Sequence, residues 1–214
     1  MTAREQILSD IRGALGRTET SAAAPLPAPM LRFPNMDIGV AVSLFRQKLE
    51  KLNGKTMLVP SRAHVVEFLR PLLEGKRAVA ANSPFVAACG ITQMPGVQSG
   101  ITDRDALRDA CASADLGITS VDYALAETGS FVMLSSADNA RLISLLPPAH
   151  IAVFPRSRIL ANLDELLSML PRPADQTSSL VLITGPSRTA DIEQILVRGV
   201  HGPGEVYALI VEDE

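Results

Sequence analysis

VLITGPSRTADIEQILVRGVHGPGEVYALIV, residues 181–211, is the stretch whose reading decides the fold. Val181 to Ile183 is a short apolar run, and it reads as a strand buried on both faces. Thr184-Gly185-Pro186-Ser187-Arg188-Thr189 is a turn of small, hydroxyl and Gly/Pro residues. From Ala190 to Val200, Ile192, Ile195, Leu196 and Gly199 recur at the helical period. Gly199 and His201-Gly202-Pro203-Gly204 stop that helix, and Val206 to Val211 forms a second apolar strand. The whole predicts a βαβ unit with a right-handed crossover. Ligands in such units sit at the carboxyl ends of strands, against helix N-termini, where backbone N–H groups and the dipole favour anions. Thr184, Gly185, Ser187, Arg188 and Thr189 are therefore ligand-binding candidates, with Arg188 able to form a bidentate pair with a carboxylate or phosphate. The same residues also read as a plain turn with a helix cap and a solvated arginine. Neither GxxxxGK[ST] nor GxGxxG is present.

Working outward, 214 residues suit one domain plus a tail, or at most two small domains. At 47% hydrophobic and 20% charged, the chain has the material for a packed core. A net charge of -3 without a Lys/Arg cluster argues against a general nucleic-acid binder. No apolar run approaches the ~20 residues a membrane span needs, and nothing resembles a signal peptide, so a cytoplasmic location is expected. Cys89 and Cys111 stand far apart and form no CxxC. His64, His150 and His201 make neither HxH nor HxxxH, so no metal site is expected.

Before the deciding stretch, Ile7, Leu8, Ile11 and Leu15 share one side of an N-terminal helix. Residues 18–34 hold four prolines and four alanines, a composition that cannot form a core and reads as a connector. Residues 1–36 are thus an arm, and 37–214 the main domain. Within it, helices are predicted over 37–52, 61–68 (with Pro71 kinking or ending it), 103–113, 138–146 and 159–170. Strands are predicted at 55–59, 77–81, 116–119 and 150–154. The alternation defines an α/β fold, a mostly parallel sheet flanked by helices, with an N-terminal helical arm. Tyr123 to Leu134 departs from it, since two apolar runs around Glu127-Thr128-Gly129-Ser130 suggest a local antiparallel hairpin.

Glu127 is the first candidate catalytic residue. A strand reading carries it toward the interior, where an unpaired carboxylate is costly unless it works as acid, base or nucleophile. Thr128 and Ser130 add hydroxyls, and Gly129 lets a ligand or backbone approach. A hairpin turn with an exposed Glu127 is the competing reading. His201 is the second candidate, an imidazole among backbone-special residues. A helix of about 11 residues spans ~16 Å, so it would place His201 at the sheet edge opposite the TGPSRT turn. His150 and His64 read as structural.

ETGS at 127–130, TGPSRTADIE at 184–193 and GVHGP at 199–203 resemble the LUD-domain family, in its lactate utilisation protein C branch. The resemblance covers residues 37–212 and is most specific near the C-terminus. It implies the NagB/RpiA/CoA transferase-like fold, shared by sugar-phosphate isomerases, CoA transferases and formyltetrahydrofolate cyclo-ligases. It also implies a part in oxidising L-lactate to pyruvate beside two partner proteins that carry iron–sulfur clusters. No cofactor is then expected in this chain. Family members carry Thr where this chain has Ser130, and Glu127 resembles the CoA-transferase nucleophile locally. Two readings follow. One is a cluster-free subunit or accessory protein binding a small anionic ligand or a partner. The other is a stand-alone transferase, isomerase or cyclo-ligase acting on a phosphorylated or CoA-linked molecule, with Glu127 as nucleophile or base. Homo-oligomerisation is left open.

Overall fold

The structure, a computed structural model, describes residues 2–16, 35–189 and 197–213. The predicted connector at 18–34 lies outside the described residues. So does most of the predicted helix at 190–200, with Asp191, Ile192, Glu193, Ile195 and Leu196. The chain divides into two compact units, Met1–Met30 and Leu31–Glu214. In the first, α1 (Ala3–Ala14) opens with a capping box in which Thr2 and Glu5 satisfy each other's backbone N–H. It buries none of its residues, and Ile7, Ile11 and Leu15 stay exposed.

The second unit is built on a six-stranded, all-parallel sheet. Its strands are β1 (Lys55–Ser61), β2 (Ala78–Ala80), β3 (Val97–Gln98), β4 (Leu116–Ser120), β7 (Ala149–Pro155) and β12 (Glu205–Asp213). They lie in the order β1-β12-β7-β4-β2-β3. A smaller sheet holds β5 (Tyr123–Leu125), β6 (Ser130–Leu134), β8 (Ile159–Leu160) and β9 (Leu180–Ile183), in the order β8-β5-β6-β9. The last pair, β10 (Arg188–Thr189) and β11 (Val197–Arg198), is an antiparallel ribbon.

β12 shows why the main sheet is buried on both sides. Alternate residues of a strand face opposite ways. Tyr207, Leu209 and Val211 join one apolar cluster with Ile151, Val153 and Ile118, covered by α3 (Val65–Leu73) and α4 (Pro84–Ala88). Val206, Ala208 and Ile210 join another, covered by α2 (Ile38–Lys51) and by the small sheet through Ala124, Phe131 and Met133. Phe45 of α2, Phe131 and Phe154 are fully buried there, with ring centres 5.7 to 5.9 Å apart. α5 (Arg104–Ser113) packs Cys111 against Val79 and Ala81, and α6 (Leu163–Met169) covers the outer face of the small sheet through Leu166.

Several sequence expectations hold in detail. The helices predicted at 37–52 and 103–113 are α2 and α5, Asp37 accepts from Gly39 and Val40 at the start of α2, and the hairpin around Glu127 is β5–β6. Others need correction. Residues 181–211 are not a βαβ unit, because β9 and β12 belong to different sheets. β9 pairs antiparallel with β6, Ile183 opposite Phe131, at an edge where Leu182 is 43% exposed. The predicted helix through Val200 fails at its end, since Val197–Arg198 pairs back on Arg188–Thr189. Residues 159–170 begin as strand, with Ile159 and Leu160 beside Ala124 and Leu125, before Asn162 caps α6. The 138–146 region is a short 3-10 turn at Arg141–Ser144. α3 runs past Pro71 to Leu73. No helix among the described residues is long and apolar enough to cross a membrane.

Candidate functional site

The motifs singled out in the sequence meet at the C-terminal end of α2. The ETGS turn links β5 to β6, closed by the Gly129 N–H on the Leu125 carbonyl at 2.9 Å. Gly129 has φ +68° and lies against the backbone of α2, where an added Cβ would fall 2.5 Å from Leu49 N. The Ser130 hydroxyl is buried and pairs at 2.7 Å with both Thr128 Oγ1 and Thr184 Oγ1. That chain of three hydroxyls ties the ETGS turn to the start of the TGPSRT turn. Gly185, φ +88°, then comes so near that a Cβ would lie 3.2 Å from Leu52 Cβ.

Arg188 continues the same contact. Its guanidinium donates to the carbonyl of Leu52, the C-cap of α2. The last carbonyls of a helix lack intrahelical partners and carry its negative dipole end, so an arginine is favourable there. Arg188 and Thr189 form β10, so the turn does not run straight into a helix as expected. The guanidinium of Arg188 thus rests on the end of α2, beside the turn that holds the other ligand-binding candidates. We expect Arg188→Ala to lower unfolding stability by about 0.5–1.5 kcal/mol, the usual net worth of one hydrogen bond, in urea titration. Arg188→Lys should recover part of the loss.

The GVHGP loop lies nearer than the sequence geometry placed it. The ribbon returns the chain, so Ser187 N–H donates to the Pro203 carbonyl at 2.8 Å and Gly199 N–H to the Ser187 carbonyl at 3.1 Å. The expectation that His201 sits at the opposite edge assumed an intervening helix, and the ribbon removes that separation. His201 itself is exposed. Glu127 is exposed as well, as the turn reading has it and against the interior reading. The junction thus joins three motifs through backbone and hydroxyl bonds while two of its titratable side chains, Glu127 and His201, face solvent. Among the described residues, no three His, Cys, Asp or Glu side chains are placed to hold a metal ion. A groove of about 770 Å³ lies elsewhere, between α3 and the turn at Gly90–Pro95, lined by Val66, Arg70, Leu73 and Met94.

Sequence reasoning missed a second polar group, at the carboxyl ends of β4 and β7. Arg158 Nη1 donates to Ser120 Oγ at 3.3 Å and to the Val121 carbonyl. Asp122 accepts from Leu134 N–H at 2.7 Å, and Asn139 Nδ2 donates to the Ser120 carbonyl at 3.0 Å. Burial raises the Asp122 carboxyl above its ordinary pKa, opposed by the Leu134 N–H and by Arg158. The signal was available, since Arg156-Ser157-Arg158 directly follows the apolar run HIAVFP. Deeper in the sheet His150 is fully buried, as its structural reading implied, with Nε2 2.8 Å from Thr119 Oγ1 and Nδ1 unpartnered among the described residues. Desolvation pushes its pKa down to about 3.

An all-parallel six-stranded sheet with a small mixed sheet packed on one face, and the ETGS turn of that small sheet set against the end of α2, defines the class. The chain belongs to the LUD domain family, whose model matches residues 42–211. It is 40% identical to lactate utilization protein C of Halalkalibacterium halodurans, over 98% of both chains. It is 35% identical to lactate utilization protein C of an Exiguobacterium species, over 71% of this chain and 69% of that one. The crystal structure of a DUF162 family protein from Deinococcus radiodurans has the same fold, with a TM-score of 0.63 at 20% identity, covering 82% of this chain and 99% of that one.

Proposed function

We propose that this chain is a component of an L-lactate-oxidising system, acting beside partners that carry the iron–sulfur clusters. The match over 98% of both chains to a lactate utilization protein C carries this reading. The chemistry of the chain agrees with a cluster-free role. Its two cysteines are both buried, on separate apolar clusters, and burial raises each thiol to about 11, away from the thiolate that ligation needs. On this reading electrons from lactate pass through groups on the partner proteins, and this chain contributes binding. Its proposed ligand is a small anion or a partner surface.

The test is genetic and biochemical. Deleting the coding sequence should abolish growth on L-lactate as sole carbon source and leave growth on pyruvate intact, with the intact gene restoring it. The tagged chain should co-purify with proteins showing iron–sulfur absorbance. Unimpaired growth of the deletion strain on L-lactate would overturn the role.

A further inference from the structure

The edge strands of the two larger sheets are β1, β3, β8 and β9, and they are not built alike. A free edge offers unpaired N–H and C=O groups to any other strand, and natural proteins blunt it with lysine, proline, short length or cover. β1 carries an exposed Lys55 at its start and an exposed Pro60 near its end. β3 has only two residues. β8 is as short, and both its residues are buried. β9, Leu180-Val181-Leu182-Ile183, has none of these devices. All four residues are apolar, each is half-buried or exposed, and Leu182 is the most open at 43%. From Gln176 to Ser187 no residue is charged.

Neighbouring bonds show which groups of β9 face the open side. Ser135 N–H donates to the Ser179 carbonyl at 2.9 Å, so the peptide groups of Ser179 turn toward β6. This alternates along an antiparallel strand. Val181 and Ile183 therefore also face β6, opposite Met133 and Phe131. The N–H and C=O groups of Leu180, Leu182 and Thr184 face away from it. β6 agrees, because Val132, opposite Leu182, turns its carbonyl the other way to accept from Asp122 N–H at 3.0 Å. Among the described residues nothing pairs with the outward backbone groups of Leu180 and Leu182.

The side chains alternate as well. Leu180 packs on the outer cluster with Leu166, so Leu182 lies on that side, while Ile183 packs on the cluster of Phe45 and Phe131. Opposed residues of an antiparallel pair share a face. A strand paired with its own copy satisfies this in a register centred on one of its residues. Centred on Leu182, that residue meets itself through its outward N–H and C=O, and Val181 meets Ile183. Apolar groups then oppose apolar groups on both faces, and no like charges meet. A two-fold pairing also closes the edge on itself. A partner recognised by charge would find nothing to read on this segment. We propose that the chain forms a two-fold dimer by antiparallel pairing of β9 with β9 of a second copy, centred on Leu182, so that the two small sheets become one. Four residues of strand fall short of the ~1,200 Å² at which stable interfaces begin. The two-fold puts both α6 helices on one side of the joined sheet, where exposed Leu163, Leu167 and Met169 add apolar surface. This inference stands apart from the role in lactate oxidation.

Sedimentation of the full chain over about a hundredfold range of concentration should show a dimer that dissociates by mass action. Leu182→Lys sets two like charges opposite each other and removes the apolar contact, so it should weaken the dimer about hundredfold or more. Its far-ultraviolet circular dichroism should stay unchanged. Leu182→Cys should form an intermolecular disulfide on oxidation, since Cα atoms of a hydrogen-bonded antiparallel pair lie about 5.5 Å apart, within disulfide reach. Cys89 and Cys111 are buried and do not compete. If neither variant folds, hydrogen exchange on the wild type decides. The Leu180 and Leu182 amides should exchange slowly in the dimer and fast after dilution to monomer. A monomer at every concentration, a dimer that Leu182→Lys leaves intact, no disulfide through Leu182→Cys, or exchange of these amides unchanged by dilution would each overturn the proposal.

Discussion

Gly129→Ala should lower unfolding stability by about 2–5 kcal/mol, measured as a fall in the urea midpoint at unchanged slope. Two costs combine. A left-handed backbone costs an L-residue with a Cβ about 1–2 kcal/mol, and Gly129 holds φ +68°. The new methyl would also lie 2.5 Å from Leu49 N and 3.0 Å from Leu49 Cα, atoms of a helix backbone that cannot swing aside as a side chain can. Overpacking of that kind costs about 1–3 kcal/mol more. Relief requires α2 to move, and α2 carries Phe45 and Leu49 into the core. A loss below about 1 kcal/mol would show that the junction is looser than described.

The second large effect is acid sensitivity through His150. An unfolded histidine titrates near 6.5, while burial holds the folded one down at about 3. Above pH about 6.5 both states are neutral there, so the residue adds no pH dependence. Below it the unfolded chain takes a proton that the folded chain refuses. Stability then falls by about 1.4 kcal/mol per pH unit as the pH drops toward about 3. Between pH 7.5 and 4.5 this amounts to about 2–3 kcal/mol. His150→Gln should keep the bond to Thr119 and lose most of that difference. Asp122 acts in the opposite sense, since its raised folded pKa favours the folded state in acid. Both proteins retain it, so the comparison cancels it. Equal acid losses in wild type and variant would remove His150 as the source.

The parts of the fold that were legible in the sequence are those written in local chemistry. Asp37 announces its helix because a cap is made within three residues. The apolar runs of β4, β7 and β12 announce buried parallel strands because both faces are covered. The Val181–Val211 stretch misled because its apolar run is short and its burial is set by a distant partner. β9 is placed by β6, some fifty residues earlier in the chain, and only that pairing shows an edge strand with Leu182 outward. The site suffered the same way. The ETGS, TGPSRT and GVHGP motifs were found as motifs, but their meeting point is the end of α2, which no spacing within them reveals. Arg158 was overlooked because its setting comes from the end of β4, visible only once the strand order is known.

That strand order also bears on how the chain folds. β12 is inserted between β1 and β7, and Lys55 meets Glu205 across 150 residues. Until the last strand of the domain emerges from the ribosome, β1 has no neighbour in the sheet and β7 lacks one of its two. A growing chain therefore carries exposed, apolar strand edges through most of its synthesis, a state that pairs readily with other chains. Contacts of such long sequence separation slow folding as well. The nascent protein should depend on chaperones far more than the finished one, and deleting the final strand should yield aggregates rather than a smaller soluble domain.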